Sequence, residues 1–108
     1  MATRALLHVP KPLRRGEVFE VRATVQHAME TGYRRGSDGQ MLARDIVRRI
    51  EARYDGVLVF AADLFPAIAA NPFVAFSLVA TSSAPLELTW RGDNGFVHTE
   101  RVDLVVGA

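Results

Sequence analysis

Three histidines, His8, His27 and His98, are the side chains of this sequence best suited to bind a metal ion or to move a proton near neutral pH. No two of them share a metal-ligand spacing such as His-x-x-x-His. A metal site would therefore need the fold to gather them from separate parts of the chain. The spacing favours histidines at the surface or at strand edges, and we expect neither a metal ion nor another cofactor.

Nucleophilic and acid–base chemistry have equally little support. Cysteine is absent, which removes disulfides, thiolate metal ligands and a thiol nucleophile. None of the serines lies in a Gly-x-Ser-x-Gly elbow. His27 and Glu30 could form an acid–base pair, but only in a pocket that shifts their pKa values. We expect no catalytic residues and interpret the chain as something other than an enzyme.

Arginine offers a third kind of chemistry, the binding of phosphate. Adjacent arginine pairs begin at Arg14, Arg34 and Arg48, and the second pair lies among the glycines of segment 32–39. A phosphate-binding loop needs closely spaced glycines that lead into a helix, and this segment has a different spacing. With a formal net charge of +1, the chain has no overall field that would attract nucleic acid. We interpret the arginines as a solvated face and expect no nucleic-acid partner.

Size and composition indicate one globular domain over residues 1–108. The chain has 108 residues, 49% of them hydrophobic and 23% charged, as in an ordinary folded domain. Its apolar runs, such as 57–62, are far shorter than the ~20 residues of a membrane span. The N-terminal residues lack the ~7–15 apolar residues of a secretory signal. We therefore expect no membrane insertion and no export signal in this chain.

An alternation of apolar and polar residues runs through most of the sequence. Phe19, Val21, Ala23 and Val25 alternate with polar residues, which predicts a half-buried strand over 17–26. Similar patterns, separated by turn signals, predict further strands over 4–9, 46–54, 57–60, 73–80, 86–91 and 96–105. About seven short strands at this spacing indicate an all-β protein built as an antiparallel β-sandwich.

Three segments leave alternatives open. An amphipathic helix would also fit the apolar spacing of 46–54, although the Asp-Gly turn that follows favours a strand. Segment 61–71 is rich in alanine and could contain one helical turn, which Pro66 and Pro72 would keep short. The Asn-Pro-Phe run at 71–73 is either the start of a strand or part of a binding surface.

The long segment 27–44 interrupts the strand pattern. It is predicted to form a loop or a hairpin with its tip at Asp38-Gly39. Met29 and Tyr33 are apolar side chains in this otherwise solvated segment. Such side chains either contact another protein or fold back as a lid over the core.

Five short runs carry a resemblance to a known family. They are Met29-Glu30-Thr31-Gly32 after a strand, Asp45-Ile46, Tyr54-Asp55-Gly56, Asn71-Pro72-Phe73-x-x-Phe76, and Leu88-Thr89-Trp90 with Asp93-x-Gly95. In order and spacing they resemble the SoxZ family, the small non-catalytic subunit of the SoxYZ sulfur-carrier complex, over about residues 18–97. The family typically has proline where this chain has Ala28, and often another near Ala43, so we expect a looser loop here.

The resemblance implies an immunoglobulin-like sandwich that forms a heterodimer with a second sandwich protein, SoxY. SoxY holds the sulfur intermediates of thiosulfate oxidation on a cysteine of its C-terminal arm. A chain without cysteine agrees with this division of work. The implied role is a scaffold that supports the carrier and meets other thiosulfate-oxidising enzymes only indirectly. The implied compartment is the bacterial periplasm, reached by export with a signal-bearing partner.

We expect the partner-binding surface in two of the runs and in the arginines near them. The expected partner-binding residues are His27, Met29, Glu30, Thr31, Gly32, Tyr33, Asn71, Pro72 and Phe73. Two other functions stay open. One is a homodimeric sandwich module unrelated to sulfur metabolism, which would pair through an exposed edge strand; the same edge could make the isolated chain self-associate. The other is an enzyme that uses the acid–base pair His27 and Glu30.

Overall fold

The structure is a computed structural model that describes residues 3–108. Its regular structure consists of nine β-strands and one 3-10 turn. The strands are β1 (Ala5–His8), β2 (Leu13–Arg14), β3 (Val18–Val25), β4 (Val47–Tyr54), β5 (Val57–Asp63), β6 (Phe73–Val79), β7 (Ala84–Gly92), β8 (Val97–Leu104) and β9 (Val106–Gly107). The 3-10 turn, Asp93–Gly95, joins β7 to β8. Nowhere in residues 3–108 is there a helix long and apolar enough to cross a membrane.

Two antiparallel sheets form the sandwich. One has the strand order β1-β3-β6 and the other the order β5-β4-β7-β8. A short parallel pair, β2 with β9, lies at the end of the sandwich where β8 finishes. The edges of the two sheets meet in pairs. Phe60 of β5 stacks on Phe76 of β6 with ring centroids 4.2 Å apart, and β1 contacts β8 on the opposite side.

The core lies between the sheets and follows the alternation of the sequence. Phe19, Val21, Ala23 and Val25 of β3 are all buried, whereas the residues between them are exposed or half-buried. Because successive side chains of a strand point to opposite faces, this strand buries one face and leaves the other in solvent. Trp90 of β7 is among the largest fully buried side chains.

The predicted all-β, immunoglobulin-like sandwich is confirmed. The seven strands of four or more residues correspond to the seven predicted, and segment 46–54 contains a strand rather than a helix. Within 61–71, where the sequence left one helical turn open, β5 continues to Asp63 and is followed by a single turn in which the Ile68 N–H donates to the Phe65 carbonyl (3.0 Å). The β2–β9 pair was missed because two-residue strands carry no alternation.

Segment 30–45 forms a hairpin-like arm that belongs to neither sheet. Glu30 and Asp45 form a bridge at its base with two backbone hydrogen bonds of 2.8 Å. Near the tip, the N–H of Gly39 donates to the carbonyl of Gly36 (3.0 Å). Of the loop and the hairpin that the sequence left open for 27–44, the structure shows the hairpin, with its tip at Asp38-Gly39.

Candidate partner-binding site

The two runs expected to contact a partner, 27–33 and 71–73, lie side by side in the structure. Asn71 donates its backbone N–H to the carbonyl of His27 (2.7 Å), and its Oδ1 accepts the N–H of His27 (2.9 Å). Thr24 Oγ1 donates to the carbonyl oxygen of Asn71 (3.1 Å). Asn71 has φ +53°, a left-handed conformation that asparagine tolerates better than most residues. This one residue therefore joins the end of β3 to the start of β6.

Met29 is buried, which decides between the two alternatives that the sequence left open for its side chain. Only 4% of the residue is exposed, and its Sδ accepts the backbone N–H of Val47 (3.2 Å). The backbone at Met29 has φ +55°, and its N–H donates to Nδ1 of His27 (3.0 Å). This turn directs the side chain inward, so Met29 folds back over the core, whereas Tyr33 is 79% exposed.

His27 holds the loop in place through both of its ring nitrogens and its ring edge. Nδ1 accepts the hydrogen bond from Met29, and Nε2 lies 3.7 Å from Oδ1 of Asp45. The ring packs edge-on against Phe96 with centroids 4.9 Å apart, and its side chain is almost fully buried. A histidine in this position supports the base of the arm rather than offering itself to a ligand.

Glu30 is occupied by a neighbour on the arm. Arg34 Nη2 donates to its Oε1 at 2.5 Å, and this hydrogen bond lowers the pKa of Glu30, with burial opposing it. The same bond raises the pKa of Arg34. Since His27 is bonded to the Met29 backbone and Glu30 to Arg34, the two side chains do not form the acid–base pair that an enzyme would need.

The next three residues shape the accessible part of the arm. Thr31 Oγ1 accepts the N–H of Tyr33 (3.2 Å), which holds the backbone before the exposed tyrosine. Gly32 has φ +88°, and a Cβ there would lie 3.1 Å from the Cβ of Arg44 on the opposite side of the arm. Glycine therefore lets the two sides of the arm approach closely at this point.

Asp93 is the residue at this end of the molecule that sequence reasoning missed. Its carboxylate accepts bonds from Arg44 (Nε 2.9 Å, Nη2 3.0 Å) and from the Ile46 N–H (3.1 Å), and Arg48 Nε lies 3.2 Å away. The hydrogen bond from Arg44 is the main cause that lowers the pKa of Asp93. Asp93 thus ties the β7–β8 turn to the arm and to β4. The sequence indicated only a turn here, because the partners of Asp93 are more than forty residues away along the chain.

The two large apolar side chains exposed at the junction are aromatic, Tyr33 and Phe73, and the polar residue Asn71 is exposed beside them. Phe73 is 65% exposed and Tyr33 is 79% exposed, whereas Pro72 and Met29 are both buried. Residues 3–108 contain no group of three or more His, Asp or Glu side chains that could hold a metal ion. The arrangement can bind another protein through apolar contact.

Comparison with known proteins gives one family and several structures. A family model described as "Sulphur oxidation protein SoxZ" matches residues 8–103. No curated protein matches the sequence significantly.

The solved structures that resemble the chain share its fold. A superoxide reductase (neelaredoxin) from Ignicoccus hospitalis has a TM-score of 0.75 and 20% identity, and the match covers 97% of this chain and 82% of that one. The sulfur carrier protein SoxY from Chlorobium limicola f thiosulfatophilum has a TM-score of 0.68 and 11% identity, with 96% and 79% covered. At these identities the likeness establishes a common sandwich and nothing about activity.

Proposed function

Because the chain belongs to the SoxZ family, we propose that it is the non-catalytic subunit of a SoxYZ sulfur-carrier complex in thiosulfate oxidation. The observation that carries this proposal is the family match, which extends over residues 8–103 and so over almost the whole chain. The partner is a SoxY-like carrier that holds sulfur intermediates on its own cysteine.

The chemistry of the chain supports a scaffolding role. It has no cysteine, so it cannot itself carry a sulfur adduct on a thiolate. The histidine and glutamate that an enzyme could have used instead hold the arm. His27 accepts a hydrogen bond from the Met29 N–H, and Glu30 accepts one from Arg34. A rigid sandwich with these properties stabilises a partner and presents the partner's arm to successive enzymes.

The junction of runs 27–33 and 71–73 is our proposed contact with the carrier. Tyr33 and Phe73 supply exposed aromatic surface, the residue type that dominates binding energy at protein interfaces. His27, Met29 and Asn71 position that surface by hydrogen bonds and burial. Tyr33→Ala is the informative change here, because its side chain is free of the core.

The complex is proposed to work in the bacterial periplasm, after export of this chain together with a signal-bearing partner. The test is a pull-down with this chain as bait from the periplasm of thiosulfate-grown cells, read by intact-mass spectrometry. We expect a stoichiometric SoxY-like partner that carries sulfur-containing mass additions. Bait recovered alone or as its own dimer would overturn the proposal and favour the homodimeric module instead.

A further inference from the structure

Charged residues are distributed very unevenly along this chain. Between Gly56 and Leu86 the only charged residue is Asp63, although charged residues are frequent before and after this segment. Its residues 57–79 form β5, the connection 64–72 and β6, and the remainder leads into β7. Asp63 itself pairs with Arg49 Nη1 of β4 at 2.9 Å, where Arg49 and Asp63 lie opposite each other in the β4–β5 ladder.

The folded chain gathers this segment into one side of the sandwich. β5 is an edge strand of the four-stranded sheet and β6 an edge strand of the three-stranded sheet, and the stack of Phe60 on Phe76 places them next to each other. We call β5, the connection 64–72 and β6 the uncharged side. Its exposed large apolar side chains are Val57, Leu58, Val59, Phe65, Ile68, Phe73 and Val79.

The opposite side of the sandwich, formed by β1 and β8, is built differently. β8 carries charge along its length, with His98 Nε2 2.9 Å from Glu100 Oε1 and Arg101 Nη2 3.1 Å from Asp103 Oδ1. Charged side chains on an edge strand discourage its backbone from pairing with another chain. This side is thus protected by the charges of β8 and by the shortness of β1, which has only four residues.

Of the two edges on the uncharged side, β6 is the one suited to pair with another strand. It is matched to β3 in an unbroken register over seven residue pairs, from Val18 with Val79 to Thr24 with Phe73. β5, by contrast, has a register irregularity opposite Ala52 and Arg53 of β4, and bulges are one way to blunt an edge. No strand among residues 3–108 pairs with the outer edge of β6.

We propose that the uncharged side is where the carrier subunit docks, with an uncharged edge strand of that subunit paired to β6 and its apolar side chains packed on β5. This inference rests on the proposed function. A SoxY chain shares this sandwich fold and so has edge strands of its own. A charged partner surface would lose its hydration here without gaining a counter-charge, which excludes it.

Size and position agree with this assignment. A stable interface takes ~20–30 residues from each partner, and the uncharged side has 23 residues, 57–79, all exposed or half-buried except Pro72 and Phe76. Phe73 begins β6 and also belongs to the junction proposed above, so the two surfaces are continuous. Permanent interfaces are richer in apolar side chains than transient ones, which is the character of this side.

The test compares two single substitutions that place the same charge at equally exposed valines. Val79→Lys lies on β6 and Val97→Lys on β8, where the native valines are 48% and 55% exposed. Each variant and the wild-type chain is co-purified with the SoxY-family subunit of the same organism, and the dissociation constant is measured by calorimetry. Thermal unfolding of each free variant checks that the fold is kept, as expected for lysine on an exposed strand.

We expect Val79→Lys to weaken binding by about tenfold or more and Val97→Lys by less than about twofold, since a buried unpaired charge is costly and an exposed one is not. Hydrogen exchange gives a second measurement, in which the amides of β6 become protected in the complex.

If Val79→Lys binds like wild type and β6 gains no protection, the inference fails while the proposed function stands. If the wild-type chain does not bind the SoxY-family subunit, the proposed function fails first. A dimer of this chain that Val79→Lys disrupts, formed in place of the heterodimer, would assign the side to a second copy and overturn the proposed occupant.

Discussion

Met29 and Tyr33 lie four residues apart in the same loop and have opposite environments. The Met29 side chain is in the core and accepts the Val47 N–H, while that of Tyr33 extends into solvent. The difference arises from a left-handed backbone at Met29, which His27 Nδ1 stabilises by accepting the Met29 N–H. Neither the residue type nor its spacing shows which way such a loop turns.

The Asp93 carboxylate links the arm to the sandwich through its hydrogen bonds with Arg44 and the Ile46 N–H. We predict that Asp93→Asn lowers the free energy of unfolding at neutral pH by about 1–3 kcal/mol, because the arginines and the Ile46 N–H lose a charged acceptor. Urea unfolding measures this change. Asp103→Asn is the matched control, since Asp103 pairs with Arg101 in solvent and such pairs contribute ~0–1 kcal/mol.

The effect of Asp93 depends on pH in a known direction. The pKa of Asp93 is lower in the folded chain than in the unfolded one, chiefly through Arg44. Its stabilising contribution is therefore complete above the unfolded pKa of about 3.9 and is lost as the pH falls through the folded pKa. Wild type and Asp93→Asn should converge in stability at low pH. A gap between them that stays constant under acid conditions would show that the charge is not the cause.

At the scale of elements, the start of β4 and the end of β7 approach so closely that no side chain fits between them. Gly92 has an extended backbone with φ −149°, which any residue adopts. A Cβ at this position would lie 2.5 Å from the carbonyl oxygen of Ile46 and 3.0 Å from the Cα of Val47. Contact, rather than backbone freedom, is the reason for glycine here.

Gly92→Ala is therefore predicted to lower the free energy of unfolding by about 2–4 kcal/mol, because the β4–β7 pair must move apart. Chemical denaturation provides the measurement. Gly107→Ala is the control, because the nearest atom to its added Cβ is the Leu13 carbonyl oxygen at 3.6 Å, an ordinary contact. An equal loss of unfolding free energy in the two variants would show that the close approach of β4 and β7 is not the reason for glycine at position 92.

The whole molecule has extents of 60 × 24 × 20 Å, and its surface divides by charge. The outer face of the four-stranded sheet is charged, with Glu51 between Arg49 and Arg91 at 3.5 Å from each. The uncharged side meets this face along β5. In a molecule of this kind the charged surface favours solubility, and the apolar surface is available for an apolar partner.

If the carrier docks on the uncharged side, its affinity should be nearly independent of salt. We predict that the dissociation constant changes by less than about threefold between ~0.05 M and ~0.5 M sodium chloride, because salt screens charge pairs and this surface has almost none. Calorimetry of the wild-type pair over a salt series measures it. A steep loss of affinity with salt would instead place the contact on the arginines of the arm or on the charged sheet face.

Much of the fold was accessible from the residues alone, because strand alternation and Asp-Gly turns act over a few positions. The sandwich and the strand over 46–54 were predicted in this way, and a hairpin was one of the two forms predicted for 27–44. The family resemblance came from short runs whose order and spacing lie in the sequence itself. The lack of cysteine, and with it the exclusion of a sulfur adduct on this chain, is also a property of composition.

Other properties depend on contacts between residues far apart in the chain, and local patterns carry no information about them. Asp93 meets Arg44 and Ile46, and Asn71 meets His27, only after the sheets have packed. Residues 57–79, whose only charged side chain is Asp63, become a single surface because β5 and β6 are edges of different sheets that stack at Phe60 and Phe76. Packing of distant strands fixes which side chains are buried and which are left for a partner, and that choice is a property of the folded molecule.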